Sequence, residues 1–409
     1  MSTTLHDTTP HDTTTDPLLR FRDRFPILSR STYLVSNSLG AMPSSTADRL
    51  GEYAEIWNRL GVKSWAERWW QLPIEVGNLV APLMGAAPGT VAMVPTVSQA
   101  QAMILSALTY TPDRDEIVMT ALDFPSVRYV TDALAPKLGA RVTVVPSDDN
   151  VGIDAQRVVE AITSRTKLVA ISHVLFKSAY IMEVAPIIAK ARSVGALVLL
   201  DAYHAVGVIP VDVSTLGADF YMGGVLNWLC GGPGGCFLWV SPEQSAALRP
   251  VLTGWQAHQR PFAFEPDMEP ATGAWRWLGG TPTVPALYAA MDGPAIISEA
   301  GLPAIRAKSQ RQTTRLIALA DARGFAVTAP RDPARRGGTV AFDVPNGAAV
   351  AQALLSRDIV IDYRPGAGIR VAPHFYTTDE ELEAFITALD DILATGAWEP
   401  FAATRPVVT

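Results

Sequence analysis

The stretch from Leu197 to Val240 constrains the fold more than any other part of this 409-residue chain. An apolar run, Leu197-Val-Leu-Leu200, lands on Asp201 and continues as Ala202-Tyr203-His204. Asp219-Phe-Tyr-Met222 follows, then Gly223-Gly-Val-Leu-Asn-Trp-Leu-Cys-Gly-Gly-Pro-Gly-Gly235, then Cys236-Phe-Leu-Trp-Val240. The pattern reads as a strand with an acidic residue at its carboxyl end, a second strand, a glycine-rich loop and a third strand. In open α/β sheets, ligands gather outside the carboxyl ends of the strands. Asp201 and the loop after Met222 are therefore the first places to look for chemistry.

Upstream and downstream segments fit the same architecture. Val91–Val94, Ile117–Thr120, Arg141–Val145 and Leu168–Ser172 read as strands, alternating with helical segments around 154–163 and 184–193. Such alternation predicts a mostly parallel sheet with right-handed crossovers. Ser45–Leu60 and Trp65–Leu83 have helical periodicity. Thr96-Val-Ser-Gln99 opens a long apolar helix for which Ser98 is the expected N-cap, and a helix start is an anion site because its free N–H groups point outward. From about Pro285 a helix leads into a smaller α+β domain with strands at Thr339–Phe342, Ile359–Asp362 and Gly368–Pro373. The expected organisation is a tail over 1–16, a large domain over 17–284 and a small domain over 285–409, with the N-terminal segment contributing to the latter.

Composition excludes several classes of function. Lys and Arg number 33 against 40 Asp and Glu, a net charge of -7 without a long basic run, which argues against nucleic acid as a partner. The two cysteines, Cys230 and Cys236, cannot make a disulfide framework, and a reducing cytoplasm fits best. No apolar run reaches membrane-spanning length. His6 and His11 in the Thr/Asp-rich tail read as solvated, and no metal-ligand pattern stands elsewhere in the sequence.

In their order along the chain, Asn37-Ser-Leu-Gly40, Phe124-Pro-Ser126, Asp201 with His204, the glycine-rich loop, Gly254-Trp255 and Ile369-Arg-Val-Ala-Pro373 resemble the class V aminotransferase group of pyridoxal-phosphate enzymes, and kynureninase in particular. The resemblance runs from about residue 18 to the end and implies the fold type I architecture, pyridoxal 5'-phosphate as cofactor and a homodimer with its site at the interface. It implies cofactor contacts from Thr96, Val97 and Ser98 to the phosphate, Phe124 stacking on the ring, Ser126, Asp201 on the pyridine nitrogen, and His204 and Trp255. Thr281 is the candidate for a contact across the dimer to the partner's phosphate. Asn37 and Arg370 are implied on the substrate side, where a guanidinium fork would orient an amino-acid carboxylate.

One position departs from the family at its centre. The lysine that carries the cofactor as a Schiff base and then moves the substrate's α-proton is replaced by Asn227. An amide can do neither, having no nucleophilic nitrogen and no pKa near neutrality. Leu226 stands where kynureninases carry a tyrosine, and Val127 where they carry an acid, so kynurenine hydrolysis is disfavoured. Of the six lysines only Lys177 follows a sheet strand on the cofactor side. His173, His204, Tyr203 and Lys177 are the alternative proton carriers, histidine because its unperturbed pKa lies near neutrality. Three readings stay open: a lysine-to-asparagine form that traps substrate, a native lysine-less enzyme, and a binding pseudoenzyme. Arg370 suggests a carboxylate substrate, while Trp255, Trp275 and Trp277 suggest an apolar or aromatic side chain.

Overall fold

In the computed structural model, which describes residues 16–403, alternation of buried residues along each strand builds two cores on one sheet. The strands are β1 (Thr32–Tyr33), β2 (Val91–Val94), β3 (Glu116–Thr120), β4 (Arg141–Val145), β5 (Thr166–Ser172), β6 (Leu197–Asp201), β7 (Phe220–Gly224) and β8 (Cys236–Val240). They continue as β9 (Ala326–Val327), β10 (Val340–Asp343), β11 (Ile359–Val360), β12 (Asp362–Arg364) and β13 (Gly368–Val371). Seven of them form the large sheet in the order β2-β8-β7-β6-β5-β3-β4. The pairs from β7 through β4 are parallel, whereas β8 lies antiparallel to both β7 and β2.

Successive side chains of a strand point to opposite faces. Val198 and Leu200 accordingly join one core with Val169, Ile171 and Tyr221, while Leu199 joins the other with Leu168, Ala170 and Met222. Because helices cover both faces, these strands read in sequence as unbroken apolar runs. The α/β expectation of a mostly parallel sheet is met, with an antiparallel edge that the apolar runs alone do not encode.

The second sheet, β12-β13-β10-β9, is antiparallel, with helices Leu302–Asp321, Gly347–Leu355 and Asp379–Thr395 over a core that includes Leu316, Phe342, Val350, Ile369 and Phe385. Leu34 belongs to this core, β1 pairs in parallel with β11, and Val35 bridges Ala372. The segment expected as one strand over Ile359–Asp362 therefore breaks in two, with β11 serving the N-terminal segment and β12 serving the second sheet. The helices Val284–Ala289 and Asp292–Ala300 pack into the core of the seven-stranded sheet, through Leu287, Tyr288, Ile296 and Ile297.

Three local readings are corrected. The helix Val97–Ala107 is capped by Thr96, whose Oγ1 accepts from the Gln99 N–H at 3.2 Å, so Ser98 lies inside the first turn. The Trp65–Leu83 region splits into a π-helical turn at Trp65–Trp69 and an α-helix over Leu72–Val80. Asp16, assigned to the tail, caps the turn that begins at Pro17 and pairs with Lys308 at 2.7 Å. His6 and His11 lie outside the described residues.

Candidate active site

The carboxyl ends of β3, β5, β6 and β7 open into a cavity of about 610 Å³, closed on its far side by the N-terminal segment and by β12 and β13. Asp201 ends β6 and Ser172 ends β5, and the two are register partners. The turn after β3 adds Phe124 and Ser126, the start of the Val97–Ala107 helix adds Thr96, Val97 and Ser98, and the loop after β7 adds Leu226 and Asn227. Tyr203 and His204 also line it, as do Asn37 and Arg370. Residues chosen along more than 330 positions of sequence, from Asn37 to Arg370, thus share one wall.

Asp201 is buried, and its carboxylate accepts the Tyr203 N–H at 2.9 Å. Burial pushes its pKa up to about 7, opposed by that N–H and reinforced by the nearby Asp123 charge. A buried carboxylate with a raised pKa is calling for a positive neighbour. Asp123 itself is tied down by the N–H groups of Thr120 and Ser172, each at 2.7 Å, and so joins the end of β3 to the end of β5. Gly224 makes room for Tyr203, since a Cβ there would overlap the phenol ring.

The anion and stacking elements are also in place. Thr96 satisfies one N–H of its helix, and the first turn presents Val97 and Ser98 to the cavity. Phe124 is 39% exposed although it sits at the cavity, and it meets Phe176 edge to face with ring centroids 5.1 Å apart.

The two histidines behave differently from the sequence expectation. His173 is buried, hydrogen-bonds the Tyr221 hydroxyl through Nδ1 at 2.8 Å and is outside the cavity lining; burial lowers its pKa to about 4. His204 is held down to about 3, by burial first and by Arg370 second. Both are neutral at pH 7, because desolvation penalises the imidazolium and no carboxylate offsets it. Lys177 lies outside the lining, with its ammonium 5.8 Å from the Phe176 ring centroid. None of the six lysines lines the cavity.

Arg370 proves to be engaged already. Its Nε donates to Asp362 at 2.8 Å, Nη2 reaches the same carboxylate and the Ser38 hydroxyl, and Nη1 donates to the Phe176 carbonyl at 2.5 Å. Asp362 also pairs with Arg364 at 3.2 Å, and Arg364 lines the cavity. Asp362 thus serves two guanidinium groups at once. Neither Asp362 nor Arg364 was picked out from sequence, although two opposite charges in the otherwise apolar Ile359-Val-Ile-Asp-Tyr-Arg364 were the available signal.

Asn227 is 3% exposed and Asn37 is 2% exposed. The Asn227 Nδ2 donates to the main-chain oxygen of Asn37 at 2.7 Å, while Asn227 Oδ1 and both side-chain amide atoms of Asn37 have no partner among the described residues. Gly40 lets the two segments touch, for its N–H donates to the Leu226 carbonyl at 2.9 Å and a Cβ there would overlap the Asn227 carbonyl. Trp255 lies elsewhere, in an aromatic group with Trp65, Trp70, Phe262 and Phe264. Thr281 is exposed and lines a separate small hollow with Gln99 and Gln256. A more open hollow of about 710 Å³ beside the four-stranded sheet has only Asp343 and Tyr363 as titratable groups among its described lining residues.

A family model described as aminotransferase class-V matches residues 32–385. This chain belongs to the class V aminotransferase family. Two kynureninases are similar over nearly the whole chain. That of Burkholderia pseudomallei (strain 1106a) is 32% identical over 408 residues, covering 96% of this chain and 97% of its own. That of Pseudomonas fluorescens is 33% identical over 396 residues, covering 94% of each. Among solved structures, the cystine C-S lyase C-DES in complex with cysteine persulfide superposes with a TM-score of 0.82 at 22% identity, over 90% of this chain and 99% of its own. The cysteine desulfurase of Thermococcus onnurineus NA1 gives 0.81 at 22% identity, over 92% and 98%. The fold is thus that of pyridoxal-phosphate enzymes of fold type I. Among the described residues no helix is long and apolar enough to cross a membrane, and no cluster of metal-ligating side chains occurs.

Proposed function

We propose that this chain is a class V pyridoxal-phosphate enzyme that holds its cofactor without a covalent anchor and acts on an amino-acid-like substrate. The observation that carries the reading is one cavity wall that brings together Asp201, the Thr96–Ser98 helix start and Phe124, with Asn227 in the loop after β7 and no lysine. Asp201 would hold the pyridine nitrogen, the N–H groups of the first helical turn the phosphate, and Phe124 one face of the ring. When bound, the cofactor supplies an electron sink for a carbanion at the substrate's α-carbon.

The chain's own groups divide the remaining work. Asp201 would keep a proton on the pyridine nitrogen, and its own pKa would fall back with that positive neighbour in place. Arg370, held by Asp362, would orient a substrate carboxylate, with Asn37 beside it. Among the titratable side chains of the wall, Tyr33, Tyr203 and Cys236 are kept protonated by burial, which raises their pKa values, and His204 is the neutral base. A base with so low a pKa accepts a proton slowly, so turnover is slower than lysine-assisted catalysis.

Titration of the purified protein with pyridoxal 5'-phosphate tests this. Saturable binding, lost on gel filtration and leaving no adduct in the mass spectrum after borohydride reduction, is the expected result. Absence of binding by the cofactor in its aldehyde and amine forms alike, or a reduced adduct on any lysine, would overturn the reading.

A further inference from the structure

Asn227 presents a hydrogen-bonding demand of a definite sign. Its Nδ2 is committed to the Asn37 main-chain oxygen at 2.7 Å. A carbonyl oxygen can only accept, so the side-chain nitrogen must face it, and this fixes the orientation of the amide. Oδ1 is therefore the atom left over, buried and without a donor among the described residues. Asn37 has both side-chain amide atoms unpartnered, and both residues line the cavity. A buried acceptor without a donor is costly, and such orphans in native structures ask for a ligand or water.

The two forms of the cofactor differ in the group they bring. The aldehyde form carries a carbonyl oxygen, which accepts and cannot donate. The amine form carries an ammonium with three N–H donors and no acceptor. The unpartnered Asn37 Nδ2 could donate to the aldehyde and the unpartnered Asn37 Oδ1 could accept from the amine, so Asn37 does not discriminate. Only the amine can answer the Oδ1 of Asn227, and that atom carries the selection.

We infer that the site selects the amine form of the cofactor, a pyridoxamine 5'-phosphate, held non-covalently with the Asn227 Oδ1 as acceptor for its 4'-ammonium. This rests on the cofactor reading above and adds which form is bound. No bond is made or broken on binding. Selection of this form means that the cofactor brings the amino group and the amino-acid-like substrate would enter as the corresponding carbonyl compound, a 2-oxo acid.

Calorimetric titration of the full chain with pyridoxamine 5'-phosphate and, separately, pyridoxal 5'-phosphate tests the inference. A hydrogen bond to a charged donor corresponds to a preference of about tenfold or more. The wild type is expected to bind the amine that much more tightly. Asn227→Leu, close in size and without an acceptor, is expected to lose the preference, read as the ratio of the two affinities measured on the same variant falling to within about threefold of one, well below the tenfold effect. Asn227→Asp, with a charged acceptor, is expected to strengthen the preference and provides the answer if the Leu variant does not fold. Equal binding of the two forms by wild type, or an undiminished preference in Asn227→Leu, would overturn the inference and leave the cofactor reading standing. Binding of neither form would overturn both.

Discussion

The carboxylate of Asp362 sits between the guanidinium groups of Arg370 and Arg364, fully buried, with Arg370 only 2% exposed. An arginine inside an apolar strand needs a partner, and here the protein provides one from the adjacent strand, where Asp362 and Arg370 are register partners. Asp362→Asn should therefore destabilise the fold by about 3 kcal/mol or more, because the two guanidinium groups lose their counter-charge. Urea denaturation at pH 7 measures this. A loss below about 1 kcal/mol, the range of exposed pairs, would mean that solvent reaches the group.

Unliganded protein should lose stability through Asp201 as pH rises. The folded-state pKa of about 7 lies above the unfolded value, so between about pH 4 and 7 the folded state holds a proton that the unfolded state has released. The contribution is complete at the acid end of that window and gone above it, with a steepest slope of about 1.4 kcal/mol per pH unit. The histidines His173 and His204, with lowered pKa values, act oppositely as pH falls below about 6.5. Comparing wild type with Asp201→Asn across this range isolates the Asp201 part, and parallel curves for the two proteins would contradict the assignment.

Thr96→Ala should cost about 1 kcal/mol through the lost helix cap, whereas Ser98→Ala should leave stability nearly unchanged. Thermal melts of the two variants decide which residue caps the helix. Both should weaken binding of a phosphate-bearing ligand, since both side chains line its expected position.

Gly40→Ala places a methyl group against the Asn227 carbonyl and the Cys230 thiol. Neither backbone can retreat without breaking the Gly40–Leu226 hydrogen bond, so a loss of about 1–3 kcal/mol and weaker cofactor binding are expected. Chemical denaturation and ligand titration on the same sample give both numbers.

Asn227→Lys should convert reversible binding of pyridoxal 5'-phosphate into a borohydride-reducible adduct at residue 227. Mass spectrometry of the reduced, digested protein reads the site directly. Reduction without an adduct would show that this loop does not bring residue 227 to the cofactor's aldehyde.

The strands around Asp201 were legible because burial on both faces writes itself as uninterrupted apolar runs, and the turns between them carry glycine and proline. The gathering of Asn37, Phe124, Asp201 and Arg370 at one cavity was anticipated through motif order. Partnerships were not. Nothing in sequence spacing says that Arg370 is forked by Asp362, or that His173 turns to Tyr221 and is thereby withdrawn from the cavity. The neutral state of His204 depends on a desolvation that only the assembled wall creates. The split between β11 and β12 was hidden because Ile359-Val-Ile361 satisfies the pattern of one strand equally well.

Ribosomal synthesis runs from the N-terminus, and the pairing of β1 with β11 sets a timetable on it. The Tyr33–Leu39 wall of the cavity is fixed by Ile359–Val360 and Ala372, partners made more than 320 residues later. Until those residues leave the ribosome, the strand pairing behind Tyr33–Leu39 is missing, and this wall is tied to the loop after β7 through the Gly40–Leu226 and Asn37–Asn227 hydrogen bonds. The ligand site is among the last parts of the molecule to be assembled. A chain truncated before β13 can build most of its large core and would still lack the wall that carries Arg370.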